Sequence, residues 1–547
     1  MRTPGYPASL EDLASSVGVA LLSLLLCSSA ALCADWPQWG GRDGRNMASE
    51  EKGLPDSFVP GEKDPQSGRG VLATAGNVQW AARLGTMTCS TPAVAGGRVF
   101  IGTASGHQGV LLCLDEATGK TLWRLSAPPR TVPKVVDGRE RRVPALLPTV
   151  GLSSSPAVDG DRVYVVTHRC EVVCLDVQGL ANGNDGPFQD ERRYSARPDK
   201  ESAVPNTDSA DIVWGYDMWN LGVRPTDACN SSVMVHGDLL YVCTSNGVDR
   251  SAIASRHDEL RRPAAPTAPS LIVLEKKTGR LAAVDDAQIG PRLLHGHWSS
   301  PSLGRVGDRT LVFLGGGDGV CYAFDALRTV PEKPVKLRTA WRFDCNPPEY
   351  KVFGRLDPIA HYCRGDRRRS DTLNRRNDGG FAGMSEIIAT PVFHNNRVYV
   401  AIGRDPEHGR GKGALHCIDA TKEGDITATG SIWSYKGMDR TLSTVSIADG
   451  LLYIADVAGR IHCLDADTGL PYWVHETNDT VWGSTLVADG KVYMPTRSHL
   501  WVLAAGKEAN VLSRISLGAP MWASPVAANG TLFIASARRL WAVRAAR

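Results

Sequence analysis

The chain has 547 residues, with 56 Gly and 33 Pro dispersed among apolar runs. That pattern excludes a long disordered polymer and requires many tight turns, and the length exceeds one ordinary core unless the fold grows by repetition. A net charge of +3 excludes an electrostatic nucleic-acid footprint over the whole chain, so no nucleic-acid partner is expected.

Residues 1–34 read as a signal peptide. Val17–Leu26 is apolar, too short to span a membrane, and small residues then lead to a cleavage site near Cys33 or Ala34. Its n-region is poor: Arg2 is the one basic residue, and Glu11 and Asp12 oppose it. Leu precedes both Cys27 and Cys33 where a lipoprotein signal has a small residue, which argues against a lipid anchor. The expected location is therefore periplasmic or secreted.

Residues 35–76 form an arm and linker. Asp35-Trp36-Pro37-Gln38-Trp39-Gly40-Gly41 cannot be a regular strand pair, and its rings are expected to cover another surface. Residues 50 to 75 are polar and rich in Gly and Pro.

From residue 77 onward one pattern recurs. It is plainest at the C-terminal end, where Thr444, Ser484 and Ser524 repeat with a period of 40. Ala448-Asp449-Gly450, Ala488-Asp489-Gly490 and Ala528-Asn529-Gly530 each lead into an alternating apolar run, the signal for successive antiparallel strands. Traced backwards, the anchor gives eight units, at Thr91, Ser155, Ser231, Ser300, Thr390, Thr444, Ser484 and Ser524. Each unit continues with a run such as Arg98-Val99-Phe100 and a Leu114-Asp115-like end. Most add a turn such as Thr118-Gly119 or a Trp such as Trp123. Four short strands at this spacing make a β-propeller blade. The last unit lacks its fourth strand, while Asn77-Val78-Gln79-Trp80 is a spare one. Residues 77–547 are thus expected to form an all-β, eight-bladed β-propeller closed by an N-terminal strand, which removes two exposed edges.

These motifs resemble the pyrroloquinoline-quinone (PQQ) repeat, the blade of quinoprotein alcohol dehydrogenase-like propellers and of the propeller lipoprotein of the outer-membrane barrel-assembly machine. The Trp36 to Asn46 arm resembles the start of secreted PQQ-like propellers of unassigned role. For an active dehydrogenase the resemblance implies PQQ, a calcium ion held by carboxylate and Asn side chains, a catalytic Asp and, in many types, a vicinal Cys-Cys disulfide. The chain contains no Cys-Cys dipeptide and no C-x-x-C-H haem site, and no calcium ligands can be placed by motif. Fold alone does not fix function.

In such a ring the fourth-to-first and second-to-third connections share one face. Residues 125 to 152, 246 to 270, 344 to 387 and 403 to 413 map there, and 179 to 211 map to the other. Long loops gathered on one end of a rigid scaffold usually build its working site. At the channel mouth on that face the eight aligned residues read as Cys89, Ser153, Cys229, Trp298, Ile388, Leu442, Trp482 and Trp522. The indoles of Trp298, Trp482 and Trp522 are either a stacking floor for a flat ligand or a packed plug. His295 and His297, with Asp405, Glu407 and His408 from another insertion, are either a metal or acid/base cluster or solvated loop residues. Asp318 in Gly315-Gly316-Gly317-Asp318-Gly319 is a turn Asp or a ligand. Arg364, Arg367, Arg368, Arg369, Arg375 and Arg376, with Arg139, Arg141 and Arg142, are a solvated surface or a docking patch for something acidic. Among the 13 cysteines, Cys113, Cys174, Cys321, Cys417 and Cys463 repeat one core position, and Cys345 and Cys363 could staple one insertion.

Two functions follow from these residues. The first is a secreted binding or scaffold propeller whose insertion-rich face holds a protein, glycan or envelope partner, or a small molecule. The second is a PQQ- and calcium-dependent dehydrogenase of alcohols or sugars. A hydrolase or lyase using the His, Asp and Glu loops is a weaker third.

Overall fold

The structure, a computed structural model, describes residues 1, 34–63, 70–71, 74–136, 138–194, 206–249, 263–347, 384–403 and 412–545. Eight sheets of four antiparallel strands form the ring. Blade 1 runs from Ala93–Ala95 to Thr121–Ala127, and blades 2 to 7 follow in chain order. Blade 8 is assembled from both ends of the ring: Val526–Ala528, Thr531–Ala535 and Arg539–Val543 take Val78–Arg83 as their outer strand, with Ala542 opposite Trp80. The expected closure is therefore present.

The repeat motifs are the contacts that hold blade to blade. In six blades an aromatic residue of the second strand, a small residue of the third and the Trp of the fourth stand in one row. Examples are Phe100, Cys113 and Trp123, and Tyr453, Cys463 and Trp473. Cys113, Cys174, Cys417 and Cys463 thus sit where only a small side chain fits between two rings, and burial pushes the Cys113 thiol up to about 12. Cys321 does not share that position, which in blade 4 belongs to Ala323; it stands two residues earlier, opposite Gly315 and Phe343. A bulge falls just after the row's third-strand position in every blade, as at Cys113/Leu114 and Ala542/Val543. It turns the Trp toward the next blade. There the indole N–H donates to a backbone carbonyl: Trp80 to Glu116 at 2.7 Å, Trp123 to Val177 at 2.9 Å and Trp433 to Ala466 at 3.2 Å. The Gly of the Thr-Gly turn lies under that ring. A Cβ on Gly469 would meet Trp433 at 2.5 Å, and its φ of +72° suits only Gly. The apolar core is accordingly a series of slabs between neighbouring blades.

The inner strands are joined by their anchors. An anchor N–H donates to the next anchor hydroxyl from Thr91 to Ser155, Ser232, Ser300, then from Thr390 to Thr444, Ser484, Ser524 and back to Thr91, at 2.8 to 3.2 Å. This corrects the register in blade 3. The anchor is Ser232, and Ser231 instead donates to the Ser299 carbonyl at 3.2 Å. The residue in the mouth position is then Asn230, not Cys229, which is fully buried.

The strands follow the order expected for a ring of this topology. The 125–152 connection carries a hairpin, Thr131–Val136 with Arg139–Pro144. Two short strands were not foreseen: Val335–Leu337 extends blade 3 and Gly424–Asp425 extends blade 4, each in parallel. Among the described residues no helix is long and apolar enough to cross a membrane.

Candidate functional site

The two ends of the ring differ. At the end formed by the first-to-second turns, residues 34–51 run round the inner strands in blade order. Trp36 pairs with Val94 of blade 1 at 2.9 and 2.8 Å, and the Pro37 carbonyl accepts from Val158 of blade 2 at 2.8 Å. The Asp43 and Gly44 carbonyls accept from Leu303 of blade 4 at 2.8 Å and Phe393 of blade 5 at 2.9 Å. Asn46 bonds both backbone groups of Ile447 in blade 6 at 2.8 Å, and Ala48–Ser49 pairs in parallel with blade 7. Ser49 donates to the Ala527 carbonyl of blade 8 at 3.2 Å. Blade 3 is reached by Arg45, whose guanidinium donates to the carbonyls of Val233 at 2.9 Å, Pro301 at 3.0 Å and Trp39. Arg45 is fully buried, and desolvation lowers its pKa to about 9. The free inner edge of every blade thereby finds a partner.

The insertion-bearing end is the other one. At its mouth, Trp482 and Trp522 meet edge to face, ring centroids 5.1 Å apart and planes at 63°, with the Arg497 guanidinium 5.8 Å from the Trp522 ring. Trp298 stands in blade 4, apart from that pair. Its indole donates to the Ala228 carbonyl at 3.2 Å, and His295 packs edge-on at 4.7 Å. His295 Nε2 lies 3.6 Å from Asp227. His297 is fully buried, its Nδ1 accepts from the Gly317 amide at 3.2 Å, and burial lowers its pKa to about 3. His297 is thus a neutral packing group at physiological pH. Asp318 lies inside its turn: Oδ2 accepts from Tyr322 at 2.6 Å and from Arg292 Nε at 3.0 Å, while Oδ1 accepts from the Val320 amide at 3.2 Å. Asp405, Glu407, His408, Cys363 and the cluster from Arg364 to Arg376 lie outside the described residues. Cys345 is buried, and burial raises its pKa well above the ordinary thiol value.

A quinone and its calcium need a flat slot and converging oxygen donors. The mouth position offers Cys89, Ser153, Asn230, Trp298, Ile388, Leu442, Trp482 and Trp522, with no carboxylate and with its adjacent indoles crossed. Among the described residues no three His, Cys, Asp or Glu side chains converge to hold a metal ion. These residues do not fit the pair, and no reaction step is derived through it.

The hairpin on this face is largely exposed. Its ends are clamped: Arg130 bonds Asp217 at 2.7 Å, Glu171 at 3.2 Å and the Arg169 carbonyl at 2.9 Å, and Ala145 donates to the Arg130 carbonyl at 2.8 Å. Arg139 pairs with Val136 at the tip, where Gly138 has φ +73°. Lys134 stands directly opposite Arg141, with Arg139 on the same side of the ladder, and all three are exposed. None of them makes an ion pair with a described residue. Pro133 and Pro144 fall at positions whose backbone points outward, so both edges are blunted against strand addition.

A cavity of about 570 Å³ opens between blades 3 and 4, lined by His236, Asp238, Arg309, Asp325 and Arg328 among others. It lies on the arm side, away from the Trp-lined mouth. Its Arg309–Asp325 pair, at 2.6 Å, is a satisfied ion pair.

Fold and repeat together define a PQQ-repeat propeller. The family described as "Outer membrane protein assembly factor BamB" matches residues 69–255 and 423–509, half of the chain, and the chain belongs to that PQQ-repeat family. A europium-containing methanol dehydrogenase is similar in structure, with a TM-score of 0.51 at 11% identity over 93% of this chain and 98% of that one. BamB from Moraxella catarrhalis gives 0.48 at 12% identity over 85% and 99%, and a quinohemoprotein alcohol dehydrogenase from Comamonas testosteroni 0.43 at 12% over 96% and 83%. Identities this low speak for the fold alone. No curated protein matches the sequence.

Proposed function

We propose that the protein is an exported scaffold propeller, periplasmic or secreted after loss of its N-terminal signal peptide, that holds a protein partner of acidic surface on its insertion-bearing face. The hairpin carries this reading. Like charges directly opposite on a ladder are destabilising, yet Lys134 faces Arg141 with Arg139 beside them on a rigidly clamped, solvated element. An acidic partner surface would relieve that repulsion and gain steered association. Membership of a family described by an assembly factor supports a protein partner in general.

The test places a photo-crosslinker at Val135 and, as control, at Asp190 on the opposite face, in protein incubated with an envelope extract of the producing cells. A discrete adduct from Val135, weakened by 0.5 M salt and lost in Lys134→Glu/Arg141→Glu, is the expected result. Equal labelling from both positions, or an adduct that survives both charge reversals, overturns the reading. The same preparation is loaded with PQQ and Ca2+. Quinone absorbance that survives desalting, together with dye reduction by an alcohol, would establish the dehydrogenase instead.

A further inference from the structure

The arm's lap round the ring ends where it began. Ala34 N donates to Glu51 Oε1 at 2.7 Å, and Glu51 Oε2 accepts from the Gly530 amide at 2.6 Å. The Ala34 carbonyl accepts from Asn529 N at 3.3 Å, and Asp35 bonds Asn529 Nδ2 at 2.9 Å and the Gly96 amide at 3.1 Å. Glu51 is 3% exposed. No cation of a described residue pairs with it; its described donors are neutral amides. A buried carboxylate without a counter-charge is costly, and such groups are ordinarily paired. Ala34 itself is exposed. The atom already touching Glu51 is the one that a cut before residue 34 would turn into a cation.

We infer that the mature chain begins at Ala34 and that its α-ammonium forms an ion pair with Glu51, clasping the arm shut. Hydrolysis of the Cys33–Ala34 bond consumes one water and leaves a carboxylate on Cys33 and an ammonium on Ala34, the reaction of a signal peptidase. Ala31 and Cys33 place small residues three and one before that bond, as such a cleavage requires. The amide hydrogen bond seen at 2.7 Å becomes a charge-assisted one without any atom having to move far. Inner-edge partners reach all eight blades through this lap, so the clasp acts on the whole ring. The inference rests on the reading that the protein is exported.

The first measurement is the N-terminal peptide mass of the protein recovered from the cell exterior or periplasm, with Ala34 expected as the first residue. An uncut chain would sink the export reading. A cut elsewhere would leave export standing and overturn this inference. The second compares Glu51→Gln in two forms: the chain starting at Ala34, and one carrying Gly-Ser before it. The substitution should lower the unfolding temperature by about 2 °C or more in the first form and by clearly less in the second. In the first form the difference should also shrink as pH rises past about 8, where an α-ammonium loses its proton. Equal losses in both forms, with no change up to pH 10, would mean that Glu51 serves only the amides.

Discussion

Asp456 accepts a hydrogen bond from His462 Nε2 at 3.1 Å, with both side chains fully buried in blade 6. The same carboxylate accepts from Arg460 Nε and the Asp439 amide at 3.0 Å each, and the Tyr435 hydroxyl meets His462 Nδ1 at 3.2 Å. Blade 4 solves the same problem with other residues. The amides of Gly316 and Asp456 make the same turn bond, to Val320 at 2.8 Å and to Arg460 at 2.9 Å. A Cβ on Gly316 would strike Asp318 Oδ1 at 2.2 Å. Asp318 with Tyr322 thus fills the space that Asp456 with His462 fills two blades on. That equivalence makes Asp318 a structural buttress of its turn.

Removing the blade 6 buttress has a definite pH signature. Burial pushes the Asp456 carboxyl up, but the His462 and Asp439 hydrogen bonds and the Arg460 charge outweigh it, and the group lies below the ordinary carboxylate range. A depressed acid stabilises the fold above its unfolded pKa and loses that contribution as pH falls through its folded pKa. Asp456→Asn should therefore cost about 3 kcal/mol at pH 7. The gap to wild type should close below about pH 4, read by urea titration across that range.

The ring was legible because six of the eight blades hide a Trp against a neighbour, and that demand fixes a Trp and a small residue at constant offsets, with a Thr-Gly turn in several units. Blade 3 slipped by one residue because Ser231-Ser232 offers two anchors and Val233 stands where five other units carry a Pro. The arm's lap left little trace, since most of its bonds run between backbone groups, which any side chain permits. Arg45 reads as one more loop residue in Gly41-Arg42-Asp43-Gly44-Arg45 until three carbonyls converge on it. The Trp residues of the mouth were findable, but not their mutual angle, which rotamers set after the backbone is placed.

The Trp–Gly dock predicts a large cost from one methyl group. Gly469 carries φ +72° beneath Trp433, and Gly119 carries +70° beneath Trp80, where an added Cβ would meet the ring at 2.5 Å in both cases. Gly469→Ala should destabilise by about 3 kcal/mol, combining backbone strain with displacement of a docked ring. Gly530→Ala shares a positive φ of +70° but has open space, so it should cost only about 1 kcal/mol from the backbone. Calorimetric unfolding of the two variants separates packing from strain, and equal losses would remove the dock from the account.

Arg45 predicts failure of a conservative substitution. Its planar fork serves three carbonyls drawn from the arm, blade 3 and blade 4. A lysine carries the charge but cannot span them. Arg45→Met should cost about 4 kcal/mol, and Arg45→Lys about as much. Limited proteolysis should then cut the arm between residues 34 and 51 before any blade, and rescue by Lys would contradict the three-way geometry.

His168 supplies a stabilising change with its own pH dependence. The imidazole sits in the second-to-third turn of blade 2, 2% exposed, and neither ring nitrogen has a hydrogen-bond partner among the described residues. It packs so closely on Gly109 that a Cβ there would lie 2.2 Å from Nδ1. Burial first, and the Arg169 charge second, lower its pKa to about 4. The unfolded chain, with His near pH 6.5, binds the proton more readily, so wild type loses stability as pH falls from about 6.5 towards 4, by up to about 3 kcal/mol. His168→Leu replaces the unpaired polar ring with an apolar group and should gain about 1 kcal/mol at pH 7.5. The gain should grow as pH drops to 5, because the variant no longer has that proton to take up. His416, also lowered to about 4 by burial, accepts or donates at both nitrogens, to Cys345 O at 3.0 Å and Ser434 Oγ at 2.8 Å. Substituting His416 by Leu should therefore destabilise at pH 7.5, and the opposite signs of these two variants in parallel thermal melts test whether hydrogen bonding, not burial alone, decides the outcome.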